Sequence, residues 1–180
     1  MSSLIMGRQR RGKNELSTLV DPATIVGPEQ IYPLGYEVYV SAGTNPGDGS
    51  QTWVYVKNTM ASDIAAYLPV SGNPTPDPIA PFEVATVNAP YPIYIGYTQA
   101  VIPSGEFGFI LRRGKGKVTM EGTGTGGINA NRGMLCYIGG IWAIQNIMAV
   151  STDVGVLWLL EDVTAPVADF QVEAMLNLQG

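Results

Sequence analysis

Short runs of aromatic and β-branched residues, each closed by glycine or proline, recur along most of this chain. They limit its fold more than any other feature. Residues 36–40 (YEVYV), 52–57 (TWVYVK), 82–87, 91–98 and 107–113 are built from residue types that pack well on a pleated surface. Between them stand turn-forming pairs such as Pro46-Gly47 and Asp48-Gly49, and the turn Pro103-Ser104-Gly105. With 22 Gly and 13 Pro among 180 residues, few windows are long enough for a helix. Charged residues are only 14%, against about 25% in an average domain, which argues against long solvated helices. Turn signals about every 8–12 residues predict an all-β fold, a sandwich or barrel of about eight to ten short antiparallel strands with little helix.

The pattern divides the chain. Residues 1–30 lack strand-like alternation and carry Gly7, Gly12, Pro22, Gly27 and Pro28, so they read as an extended basic arm. Residues 31–180 form the β-rich domain. The stretch 71–81 holds Pro74, Pro76, Pro78 and Pro81 and is a candidate subdomain break. Residues 61–68 fit one short helical turn or a bulged edge. Residues 107–113 and 115–121 are expected to form a hairpin turning at Gly114, with 122–127 as a flexible loop. Further strands are expected at 134–139, 141–144, 154–160 and 169–175. The last ten residues also fit a helix, because Val172, Met175 and Leu176 would share one helical face. Residues 134–150 are apolar, but Gln145 and Asn146 interrupt them and no basic anchor follows, so buried strands are favoured over a membrane span.

Charge is unevenly placed. The net charge is -5, yet Arg8, Arg10, Arg11 and Lys13 begin the chain without an acid among them. Arg112, Arg113, Lys115, Lys117 and Arg132 form a second basic group. Beyond Arg132 there is no base, and Asp153, Glu161, Asp162, Asp169 and Glu173 follow. Such an arm suits an acidic protein surface, an identical neighbour's C-terminal half included. So small a basic cluster on an acidic protein disfavours nucleic acid, since salt would strip it off. Asp48, in the tip expected at 43–51, joins Arg112, Arg113, Lys115 and Lys117, at the tip expected around Gly114, as candidate contact residues on exposed loops.

Chemistry of the usual kinds finds little support. The chain has no His, the commonest general base and metal ligand, and one Cys, Cys136, which reads as a small core residue. Arg113-Gly-Lys-Gly-Lys117 fails the phosphate-loop pattern, since Gly116 stands where a hydroxyl must hold magnesium. Residues 122–127 (GTGTGG) lack the helix start that a dinucleotide fingerprint needs. Glu37, Glu83, Glu106 and Glu121 read as solvent-facing strand residues rather than as a glycosidase pair. No catalytic, cofactor-binding or metal-binding residue is assigned, and no enzyme activity, cofactor or small-molecule substrate is expected.

One arrangement is less generic. Residues 36–40 lead through a Gly-rich tip to Trp-Val-Tyr-Val-Lys-Asn (53–58) and then Tyr-Leu-Pro-Val (67–70). Later comes Ala-Val-Ile-Pro-Ser-Gly-Glu-Phe-Gly-Phe-Ile (100–110), followed by the basic residues around Gly114. Over about half of its length the chain resembles the small decoration, or cement, proteins of tailed-bacteriophage heads. These share an aromatic strand ending in Lys-Asn, and a Gly-aromatic-Gly-aromatic strand leading to a glycine. The basic start departs from that pattern. The resemblance implies a homotrimeric β-rich protein, made in the host cytoplasm and bound to the major capsid protein on the outer face of the virion shell. It further implies an arm reaching a neighbour. Two other classes fit the residues: another structural virion part (tail tube, connector or fibre-base subunit), and a carbohydrate- or receptor-binding β-domain using Trp53, Tyr55, Tyr91, Tyr94 and Tyr97.

Overall fold

The computed structural model describes residues 8–10, 13–15, 21–40, 49–72, 82–86, 93–120, 133–134, 157–160 and 170–177. They are mostly β-strand. The strands are β1 (Arg8–Arg10), β2 (Lys13–Glu15), β3 (Val26–Gly27), β4 (Glu37–Val40), β5 (Gln51–Asn58), β6 (Pro69–Gly72) and β7 (Glu83–Thr86). They continue with β8 (Ile93–Thr98), β9 (Phe107–Met120), β10 (Gly133–Met134), β11 (Leu157–Leu159) and β12 (Phe170–Asn177). Helix is slight: a 3-10 turn, Pro22–Thr24, is capped by the Asp21 carboxylate, which accepts from the Ala23 N–H.

One mixed sheet joins the strands, and part of it returns on itself. β5 pairs with β7, β7 with β6, β6 with β8, β8 with β9, and β9 again with β5. Every strand of that circuit adds to one buried aliphatic cluster: Val54 and Val56 from β5, Val70 from β6, Val84 from β7, Ile95 from β8 and Ile110 from β9. Ile64 and Ile102 complete it, joined by reciprocal backbone hydrogen bonds of 3.0 Å outside the regular strands. Each such side chain contributes about 1.5–3 kcal/mol by leaving water. Asn58, at the end of β5, organises that side. Its Nδ2 donates towards the carbonyls of Ser62, Ile102 and Pro103, and its Oδ1 accepts from the Met60 N–H.

β5 is buried on both faces. Its second face carries Trp53 and Tyr55, beside Phe107, Phe109 and Leu111 of β9. A strap, residues 26–36, crosses these two strands. One end is β3, whose Val26 and Gly27 pair with Gly108 and Phe107. At the other end the Gly35 N–H donates to the Tyr55 carbonyl and the Tyr55 N–H donates to the Tyr36 carbonyl. Between them Tyr32 stacks on Tyr36 at 4.9 Å and meets Tyr55 and Phe109 edge-on at 5.3 and 5.5 Å.

Several expectations need correcting. The strands are not all antiparallel: β2 runs parallel to β4, and β5 parallel to β7. β7 slots between β5 and β6, and being antiparallel to β6 it must run with β5. The expected hairpin of 107–113 and 115–121 does not form, since the chain does not turn at Gly114. β9 runs straight through, first beside β5 and β8, then beside β12. The register against β5 skips Arg112, and Gly114 adopts φ +109°. Together these make a bulge where β9 changes partners, which explains a turn-like sequence inside a strand. A side chain at Gly114 would also lie 2.6 Å from the Ser50 carbonyl oxygen. Residues 61–68 form turns and the Ile64 bridge rather than a helix. The C-terminal run is strand, with Gln171 exposed and Val172 and Ala174 buried against β9, so the two-residue alternation wins over the helical face. The strands flanking the proline-rich stretch, β6 and β7, pair with each other. Cys136, Asp48 and the runs 135–139 and 141–144 lie outside the described residues.

Candidate functional site

The second half of β9 concentrates cations on a strand, not on a loop tip. Arg112 donates to a Glu37 carboxylate oxygen at 2.8 Å, and Lys115 Nζ lies 2.9 Å from a Glu173 carboxylate oxygen. Both pairs are partly exposed, with the Glu37 and Glu173 side chains 40% and 45% open to water, so each is worth at most about 1 kcal/mol. Arg113 and Lys117 are exposed, and neither enters an ion pair among the described residues. Lys117 Nζ stands 6.0 Å from the centre of the Tyr67 ring.

This half of β9 has one edge on β12 and another with no strand beside it among the described residues. Gly116 and Val118 turn inward with Ala174 and Val172 of β12, while Lys115 and Lys117 alternate with them. The main-chain groups of the odd-numbered residues face the strandless edge, and other groups satisfy them. Gln51 Nε2 donates to the Lys115 carbonyl at 2.7 Å. Gln99 Nε2 donates to the Lys117 carbonyl at 2.9 Å, and its Oε1 accepts from the Lys117 N–H at 3.0 Å. The Thr119 N–H donates to the Tyr67 carbonyl at 2.9 Å. Gln51 is itself held by the indole N–H of buried Trp53 at 3.2 Å. Tyr67 has φ +68°, a conformation uncommon outside glycine, fixed by its own N–H donating to the Thr98 carbonyl. A cavity of about 250 Å³ lies along this edge, lined by Asp21, Gln51, Trp53, Tyr67, Gln99, Lys115, Lys117 and Glu173.

The sequence-predicted contact residues do not converge on one place. Arg112, Arg113, Lys115 and Lys117 share β9, so their placement on a loop tip is corrected while their grouping holds. Arg8 and Arg10 lie on β1 and Lys13 on β2, at one end of the sheet. Arg11 and Asp48 fall outside the described residues. Gln51, Gln99 and Tyr67 were not legible as site residues, since neutral polar side chains carry no motif. Among the described residues no group of His, Cys, Asp and Glu side chains could hold a metal ion, and no helix is long and apolar enough to cross a membrane. No protein-family model matches the chain, and no curated protein matches it.

Proposed function

We propose that this chain is a structural virion protein that binds the outer face of a phage capsid and bridges neighbouring subunits of the major capsid protein, acting as a homotrimer. The observation that supports this reading most is where the cationic leader sits. β2 pairs with β4 through Asn14↔Val38 and Glu15↔Tyr39, and β1 lies outside β2. Arg8, Arg10 and Lys13 are thereby held in extended backbone at the end of a sheet whose other strands enclose the core. An extended segment covers much surface per residue, and many copies on one shell turn weak contacts into firm attachment. The circuit of pairings around the aliphatic cluster supports a small barrel as the rigid body that carries the leader.

The test mixes purified protein with expanded capsid shells. Saturable coating that raises the shells' thermal resistance is the expected result. A chain lacking residues 1–20 keeps its far-ultraviolet β-signature and coats more weakly. Absence of coating by the intact chain overturns the reading, and equal coating by the truncated chain overturns the role of the leader.

A further inference from the structure

We infer that the cavity beside the second half of β9 binds one neutral sugar ring, held by side-chain amides and carboxylate oxygens against the wall that Tyr67 makes. Charge points to a neutral ligand. The ionisable walls are Lys115 and Lys117 against Asp21 and Glu173, two of each sign, so the lining carries no net charge. Lys115 and Glu173 are already paired at 2.9 Å, which lowers their pull on a charged ligand further. An anion drawn by the ammonium groups would also meet two carboxylates, and a cation the reverse. A hydroxyl avoids that conflict, because it can donate to a carboxylate and accept from an ammonium at once. A sugar ring carries several such groups on one small frame.

Hydrogen-bonding capacity points the same way. A glutamine side chain has two N–H donors and an oxygen with two lone pairs. Gln51 spends one donor on the Lys115 carbonyl and one lone pair on the Trp53 indole N–H. Gln99 spends both donors, on the Thr98 and Lys117 carbonyls, and one lone pair on the Lys117 N–H. Among the described residues this leaves Gln51 a donor and an acceptor, and Gln99 an acceptor, on side chains already fixed by their other bonds. Asp21 spends one carboxylate oxygen on the Ala23 N–H and keeps the second. Groups fixed in advance lose little freedom when a ligand arrives.

Size limits that ligand to a single ring. An apolar cavity of about 150 Å³ can hold benzene. One of about 250 Å³ has room for a six-membered ring with its hydroxyls. Tyr67 supplies an aromatic surface for the apolar C–H face of such a ring. Of the aromatic residues that the sequence suggests for a sugar, Tyr55 and Tyr97 are buried in the core, while Trp53 lines the cavity. The site is independent of the proposed function: sugar bound by a protein that coats no shell would uphold it and reject that function.

The probes are the methyl glycosides of glucose, galactose, mannose and N-acetylglucosamine, titrated into the full chain and followed by the side-chain amide signals of Gln51 and Gln99. Glucuronate and glucosamine are the charged controls. Expected is millimolar binding of at least one glycoside, as a few net hydrogen bonds predict, with shifts of both amides. Salt at about 1 M, which screens ionic attraction, should leave that binding unchanged. Asp21→Asn keeps a good cap for the 3-10 turn but gives up the charged acceptor, and should weaken binding about three- to tenfold. Tyr67→Gly removes the aromatic wall at a position whose φ of +68° suits glycine, so the fold is kept while binding falls about tenfold. No binding of any glycoside, tighter binding of a charged control, loss of binding in salt, or unchanged binding by the two folded variants each overturns the inference.

Discussion

The ring of Phe82 fills the space that a side chain at Gly35 would need. A β-carbon at Gly35 would lie 2.5 Å from the nearest ring atom, and Gly35 also has φ +81°. This contact ties the strap to the start of β7, and Phe82 packs against the aliphatic cluster. Gly35→Ala therefore meets both backbone strain and overpacking, at about 2–4 kcal/mol together. Gly27→Ala, on the same strap with open space around it, should change stability by less than about 1 kcal/mol. Urea titrations of the two variants give the comparison.

Asn58 is fully buried and bonds to loops on both sides of β5's end. Asn58→Leu removes the donor that joins the Ser62, Ile102 and Pro103 carbonyls and takes the acceptor from the Met60 N–H, leaving an apolar side chain against these polar groups. The loss should be about 3 kcal/mol or more, against about 1 kcal/mol for an exposed polar substitution. Hydrogen exchange should report faster opening at Ile64 and Ile102, whose mutual bonds depend on those loops staying in place.

Such partners mark the limit of what the chain discloses by itself. The strands β4, β5 and β8 and the first half of β9 were legible, because runs like YEVYV and TWVYV suit a pleated surface whatever they pair with. Which strands pair was not, since β7 entering between β5 and β6 is decided by distant residues. Gly114 misled for a physical reason: a glycine at positive φ serves a bulge as well as a turn, and only β12 running alongside tells them apart. The cationic grouping on β9 was legible from the run RRGKGK. The edge beside it was not, because Gln51 and Gln99 reach β9 from elsewhere in the chain.

Alkaline pH should loosen the strap. The Tyr32 phenol titrates above its ordinary value, chiefly through burial and further through neighbouring Tyr36 and Tyr55. Tyr55 is raised by burial, partly offset by the Ile31 N–H that donates to its oxygen. Both shifts favour the neutral phenol in the folded state. Their stability is intact below the unfolded value of about 10 and is withdrawn as pH rises through the higher folded values. Thermal melts at increasing pH should show this loss, and Tyr32→Phe should reduce it while keeping the ring contacts.

Arg112 and Glu37 reach one another across β5, at the bulge where β9 leaves that strand. With side chains 25% and 40% exposed, water screens the pair. A double-mutant cycle with Arg112→Ala and Glu37→Ala should yield a coupling below about 1 kcal/mol. Salt at about 1 M, where the screening length falls to roughly 3 Å, should reduce it further. A larger, salt-insensitive coupling would mean that the pair is a fixed part of the bulge.

Gly114 sets where β9 exchanges β5 for β12, and so it also positions the edge at 115–119. A β-carbon there would press on backbone, with Ser50 O at 2.6 Å, as well as on the Gln51 side chain at 2.8 Å. Backbone cannot step aside as a side-chain end can, and φ +109° adds strain for any residue but glycine. Gly114→Ala should cost about 2–5 kcal/mol. The damage should also be local: Gln51 lies directly in the way, so its bond to the Lys115 carbonyl breaks first. Amide exchange should then quicken at Lys117 and Thr119 before it changes at Val54 and Val56, within the aliphatic cluster. Uniform acceleration across both groups would show instead that the bulge and the core open as one unit.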